Sequence, residues 1–227
     1  MQTNGRARGS STPVIAPHSG WRYASDMGRP REFVEESLLD HAQEIFWVRG
    51  YDQTKIEDIA AVSGVGNGSI YAAYGSKLGL FLRVFERYCA ERVRIVRSIV
   101  ESHRGGFQSA VAHYLHSIVE DCTAHPDRRG CMMVRSLAEL STRFPEVAAI
   151  GLRSTAQMER VLAARIEQAR AEGELSVDQE RVGPLSAHIV LVSQGLISLS
   201  RGVVPASRLH AIAEESSRIT AGSLAHA

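Results

Sequence analysis

An all-α chain in two domains is predicted by three observations. From Gly50 to Lys77 the residues spell a helix, a glycine turn and a second short helix. Downstream, apolar residues recur with helical periodicity between short breaks, and nothing alternates apolar with polar as a half-buried strand would. With 227 residues, 44% of them apolar and 22% charged, the chain buries a sizeable core and fits one or two domains.

The residues before Met27 are rich in Ser, Gly, Pro and Arg and lack an apolar core segment, so residues 1–27 read as a disordered basic tail and not as a signal peptide. "MGRPR" at Met27 reads as an alternative start. A first helix over Phe33 to Gly50 carries Leu38, Ala42, Ile45 and Phe46 on one face. Thr54 is expected to cap the next helix with its hydroxyl while Glu57 reaches back to the cap amide. Ile56, Ile59 and Ala60 form the buried stripe of that helix, and Ser63 with Gly64 ends it, since glycine tolerates the left-handed backbone of a sharp turn. Val65 plugs the angle. In the following helix Ile70 and Tyr74 face inward, which leaves Asn67, Ser69, Ala72 and Ala73 outward, and Ser76 caps a third helix that carries Lys77.

The block "GYDQTKIEDIAAVSGVGNGSIYAAYGSK" resembles the N-terminal domain of the TetR family of bacterial transcriptional regulators. The resemblance extends upstream to the first helix and downstream, more weakly, as a helical remainder of the expected length. It implies a helix-turn-helix DNA-binding domain over 28–77 and a ligand-binding and dimerisation domain over 78–227. It further implies a homodimer that binds double-stranded, pseudo-palindromic operator DNA, represses transcription and is released by a small-molecule effector. The expected DNA surface comprises Arg29, Arg31, Thr54, Lys55, Gly66, Asn67, Gly68, Ser69, Tyr71 and Lys77. Asn67 and Ser69 suit base edges, and the family's matching tyrosine contacts phosphate, the role implied for Tyr71. Lys55 and Lys77, the only lysines, sit just inside helix starts, where an ammonium adds to the helix dipole in holding phosphate.

This sequence departs from the family pattern in its reading helix. No charged residue lies between Ser63 and Ser76, Gly66 stands where a Ser or Thr cap is usual, and Leu78-Gly79 replaces the usual acid after Lys77. The formal net charge of +1 gives no general basic field, whereas residues 1–31 hold Arg6, Arg8, Arg22, Arg29 and Arg31 against Asp26 alone. Such a basic arm beside a helix-turn-helix suits phosphates or a minor groove.

Catalytic signatures are missing. Gly64, Gly66 and Gly68 alternate but follow a helix, without the strand and distal acid of a dinucleotide site, and there is no nucleophile elbow, paired-histidine zinc motif or P-loop. An enzyme is not expected, and no cofactor or metal is. Cys89, Cys122 and Cys131 lack a paired spacing, which fits a reduced, cytoplasmic protein, and no apolar run reaches membrane-spanning length.

A long helix is expected from Leu78 past Arg104 to Gly105-Gly106, then Phe107 to Ala124, a short helix through Leu140 entered at Cys131-Met132-Met133, and one from Pro145 to Glu172. Met133, Leu137, Phe144, Met158 and Leu162, with His113, His116 or Gln194 as polar anchors, are the candidate lining of an effector cavity. Arg181 to Ser200 is apolar almost all round, and a last helix from Pro205 to about Leu224 has one apolar stripe. A helix apolar on every side needs cover on every side, so Leu185, Ile189, Val192, Leu196, Leu209, Ile212 and Ile219 are expected at a dimer interface. The uncharged reading helix also admits a second reading, a small-molecule-binding or adaptor protein whose DNA affinity has decayed.

Overall fold

The computed structural model describes residues 31–124, 127–202 and 204–222, which form nine α-helices and no strand. These are α1 (Arg31–Arg49), α2 (Ile56–Ser63), α3 (Asn67–Tyr74), α4 (Lys77–Ser102), α5 (Phe107–Ala124), α6 (Met132–Leu140), α7 (Pro145–Ala171), α8 (Gln179–Arg201) and α9 (Ala206–Gly222). The element order matches the periodicity of the sequence, with α4 stopping at Ser102, short of the expected glycines. Arg29 and the basic tail lie outside the described residues, as does the side chain of Arg31.

The three-helix head forms around Phe46, Ile56, Ile59 and Ile70, which are buried together with Leu80 and Phe81 of α4. Gly64 closes α2 in the left-handed conformation expected of it, at φ 71. The start of α2 differs from expectation. Its cap is Lys55, whose amide is held by the Asp58 carboxylate at 3.3 Å. Thr54 is fully buried, and its hydroxyl donates to the Gly50 carbonyl at 2.7 Å, tying the turn back to the end of α1. Thr54 lies one residue before the cap position with its hydroxyl turned back to α1, so the helix start falls to its neighbour Lys55.

The remaining helices make a bundle in which α5 and α7 lie at the centre, α4 packs on α7, and α8 and α9 close over α5. Several polar groups inside it are paired. Arg92 is buried and meets Asp121 at 3.0 Å, Tyr114 donates to Ser193 at 3.0 Å, and the Tyr88 hydroxyl donates to the Cys131 sulfur at 3.4 Å. Burial pushes the Cys89 and Cys122 thiols up to about 12, so both are protonated near neutrality.

Two sets of assignments on the bundle change. Ile189, Leu196 and Leu209 are 2% exposed or less and belong to the core of the single subunit, so they do not form a surface seam. Leu185, Val192 and Ile212 are half-buried at its edge, and Ile219 alone of the expected set is open. The proposed effector residues do not converge on a cavity either. Met133, Met158 and Leu162 are closely packed, Leu137 presses on Gly151, and Phe144 stacks edge-on against Tyr51 at 5.2 Å. His113 is exposed and stacks on His103, Gln194 is half-buried on α8, and His116 bonds His210 at 2.7 Å.

Two glycines set the joints of the head. Gly79 brings α4 hard against the end of α3, since a Cβ there would lie 2.0 Å from the Tyr74 carbonyl oxygen, while its amide is capped by the Ser76 hydroxyl at 3.0 Å. Gly50 ends α1 at φ 80, and its missing side chain makes room for Arg135, whose Nη2 would be 2.6 Å from a Cβ. Gly79→Ala is therefore expected to lower stability by about 2 kcal/mol, because the obstacle is backbone that cannot swing aside. Chemical denaturation followed by circular dichroism measures it, and an unchanged midpoint would show that the joint has slack.

Candidate nucleic-acid interface

α3 presents a face of small, uncharged groups. Gly66 starts the helix without a side-chain cap, its carbonyl accepting from Ser69 and Ile70 at 3.0 and 3.1 Å. Ile70 points inward and is 1% exposed, and Tyr74 is half-buried with its hydroxyl donating to Glu35 at 3.2 Å, the packing role expected of it. On the far side Gly68, Ser69, Tyr71, Ala72 and Ala73 all stand in solvent. Hydroxyls and methyls at the groove-facing side of a short second helix suit base edges and thymine methyls.

Several expected contacts have different positions. Asn67 is half-buried, and its Oδ1 is shut away from solvent without a partner, so it faces into the head and reaches a base only by turning its side chain. Thr54 is closed inside the turn and is unavailable to DNA. Lys77 departs most from expectation. Its ammonium donates to the carbonyls of Tyr51 and Thr54, both at 3.0 Å, and sits 4.3 Å above the Tyr51 ring. It clamps the α1–α2 turn instead of projecting toward phosphate. Lys55 is exposed at the start of α2, in keeping with a phosphate contact.

The described part of the head is not strongly basic. Glu57 and Asp58 occupy the first turn of α2, and Arg49 is paired with Asp58 at 3.1 Å. Among the expected phosphate contacts on the described head, Lys55 and the Tyr71 side chain are exposed.

Residues far along the chain also shape this head, which sequence periodicity does not reveal. Arg143 makes a two-pronged pair with Asp52 at 2.6 and 3.1 Å, and Arg135 donates to the last carbonyls of α1. The Arg143 guanidinium holds the Asp52 carboxyl below its usual range.

Comparison with known proteins agrees with this geometry. Residues 38–84 match the family model for bacterial regulatory proteins, tetR family. The HTH-type transcriptional repressor ComR of Escherichia coli K12 is 29% identical over 148 residues, 65% of this chain and 70% of its own. An uncharacterised HTH-type regulator, YezE of Bacillus subtilis 168, is 28% identical over 77% of this chain and 88% of its own. Among solved structures, a cysteine-substituted form of the regulator CifR in complex with 26 bp double-strand operator DNA is 30% identical, with a TM-score of 0.68, covering 84% of this chain and 98% of that one.

The two lysines are expected to separate on mutation. Lys77→Ala should lower stability by about 1–2 kcal/mol through loss of two charge-assisted bonds and leave the salt dependence of DNA binding unchanged. Lys55→Ala should leave the melting temperature alone and reduce the slope of log affinity against log salt by about 0.9. Equal effects of both on the slope would return Lys77 to the phosphate surface.

Proposed function

Because this chain belongs to the TetR family of bacterial regulatory proteins, we propose that it is a ligand-responsive repressor that binds a pseudo-palindromic operator as a homodimer. The observation that carries the reading is the solvent-facing side of α3 on a helix-turn-helix whose inner side is anchored by the buried Ile56, Ile59 and Ile70. Ser69 is the proposed base-reading side chain, Tyr71 and Lys55 the phosphate contacts, and Gly66 and Gly68 allow close approach of the backbone. A regulator of this kind works with the chromosome in the cytoplasm, and its family relatives are named as regulators and not as enzymes.

Dimerisation is assigned to the outer sides of α8 and α9. By length and composition α8 passes for a membrane span, but its inner stripe, Ile189, Val190, Leu196 and Ile197, is locked into the bundle. Leaving for a bilayer would unpack that core. Its outer stripe still exposes Leu191 at 65% and Leu199 at 43%, beside Gly195 and Ser198, and α9 adds Ile219 at 54%. Small residues next to large apolar ones allow two helices to approach closely, and a two-fold pairing with a second copy covers the stripe without disturbing the core.

Effector binding is proposed for the α6–α8 cleft of about 330 Å³, lined by Cys131, Val134, Arg135, Ala138, Ile197 and Arg201. Arg135 lines this cleft and also donates to the end of α1. A small molecule favouring one position of α6 would change the DNA affinity of the head.

Gel shifts on DNA upstream of the protein's own gene, run across a salt series, test the DNA reading. A folded dimer that shifts no duplex would favour the effector-binding protein without a DNA role. Leu191→Asp is expected to place a charge in the seam, raise the dimer dissociation constant at least about tenfold and abolish the specific shift while leaving helicity intact. Light scattering with circular dichroism reads it, and a variant that stays dimeric with full affinity would move the interface off α8.

A further inference from the structure

The head touches the bundle at more than the continuous rod of α4. Arginines from α6 and its two flanks reach back to the end of α1 and the turn that follows. Arg135 Nη1 donates to the carbonyls of Trp47 at 3.2 Å and Val48 at 3.5 Å, placing a cation on the negative end of the α1 dipole. Its Nε is held by Glu139 at 2.9 Å. On the far flank Arg143 grips Asp52 with both nitrogens and lies 4.7 Å over the Phe144 ring and 5.6 Å from that of Tyr51. On the near flank Trp47 donates its indole N–H to the Gly130 carbonyl at 3.0 Å, and Arg129 pairs with Glu44 at 2.6 Å.

We infer that Arg135 and Arg143 are positioning residues that fix the tilt of the reading head on the bundle, and through it the spacing at which two heads meet DNA. The inference rests on the DNA-binding dimer proposed above. An exposed ion pair such as Arg143 with Asp52 contributes little to stability on its own, so stability is not what that contact is suited to. A planar guanidinium held by a carboxylate on one edge and by rings on its face restricts angle, which a point charge does not. The anchor points are distinct: Arg135 takes the last turn of α1 and Arg143 the turn after it, so the two together resist rotation that α4 alone would allow.

Pulsed dipolar spectroscopy on the full chain tests the tilt without DNA. Spin labels at Glu57→Cys on α2 and Gln157→Cys on α7 use exposed sites, in a background where the buried Cys89, Cys122 and Cys131 are replaced by Ser or Ala and the fold is checked by circular dichroism. Labelled chains are diluted into unlabelled ones, so the distance read lies within one subunit. Asp52→Ala and Arg143→Ala should each broaden the distance distribution about twofold, Arg143→Lys should recover part of the width, and the exchanged pair Asp52→Arg with Arg143→Asp should recover most of it. A duplex selected from a random pool by the parent protein supplies the second readout. One inserted base pair between half-sites should weaken parent binding about fivefold more than it weakens Arg143→Ala, whose head tolerates both spacings. Unchanged widths in variants whose circular dichroism matches the parent would overturn the inference, as would widened distributions with an unchanged spacing preference. A parent that selects no duplex while the widths respond counts for the tilt and against the DNA reading.

Discussion

The arrangement of the head hangs on the ring of Tyr51. It stands at the turn between α1 and α2, stacked with Phe46 at 6.3 Å and edge-on to Phe81 and Phe144, each at 5.2 Å. Lys77 covers one side of it and Arg143 approaches from the bundle. One aromatic side chain therefore gathers the first helix of the head, the base of α4 and the loop between α6 and α7. Aromatic rings suit this position because they supply large apolar area with few rotatable bonds, so the elements they join are held in orientation as well as in contact.

What could be read from the chain was local. The glycine turn at Gly64, the inward Ile70 and the Ser76 cap depend on residues within a helical turn, and periodicity finds them. The start of α2 differs from the sequence expectation because Thr54 is buried against the end of α1, its hydroxyl donating to Gly50 four residues behind it, and the helix begins one residue later with Lys55 at the cap. Lys77 departs from the sequence expectation through contacts of longer range. A lysine at a helix start suits phosphate, but its carbonyl partners lie 26 and 23 residues back in the chain. The pair of Arg143 with Asp52 spans 91 positions and leaves no trace in any window.

The last two helices show another limit. Apolar residues around nearly the whole circumference of α8 pointed to a partner but did not sort inner stripe from outer. Packing does: Ile189 and Leu196 are closed in, while Leu191 and Leu199, only two or three positions away, are open. The effector cavity was harder still, because Met133, Met158 and Leu162 carry the composition of a pocket lining and the geometry of a filled core.

The tight seat of Gly79 under the Tyr74 carbonyl has a mechanical consequence. With no slack between α3 and α4, the long helix is a lever arm and the reading helix is fixed to its tip. At 26 residues α4 is about 39 Å long. A pivot of about 5° at its far end carries the tip roughly 3.4 Å, the rise of one base pair. A tilt of a few degrees in the seat of α4 is therefore, at the reading helix, a shift as large as the rise between base pairs.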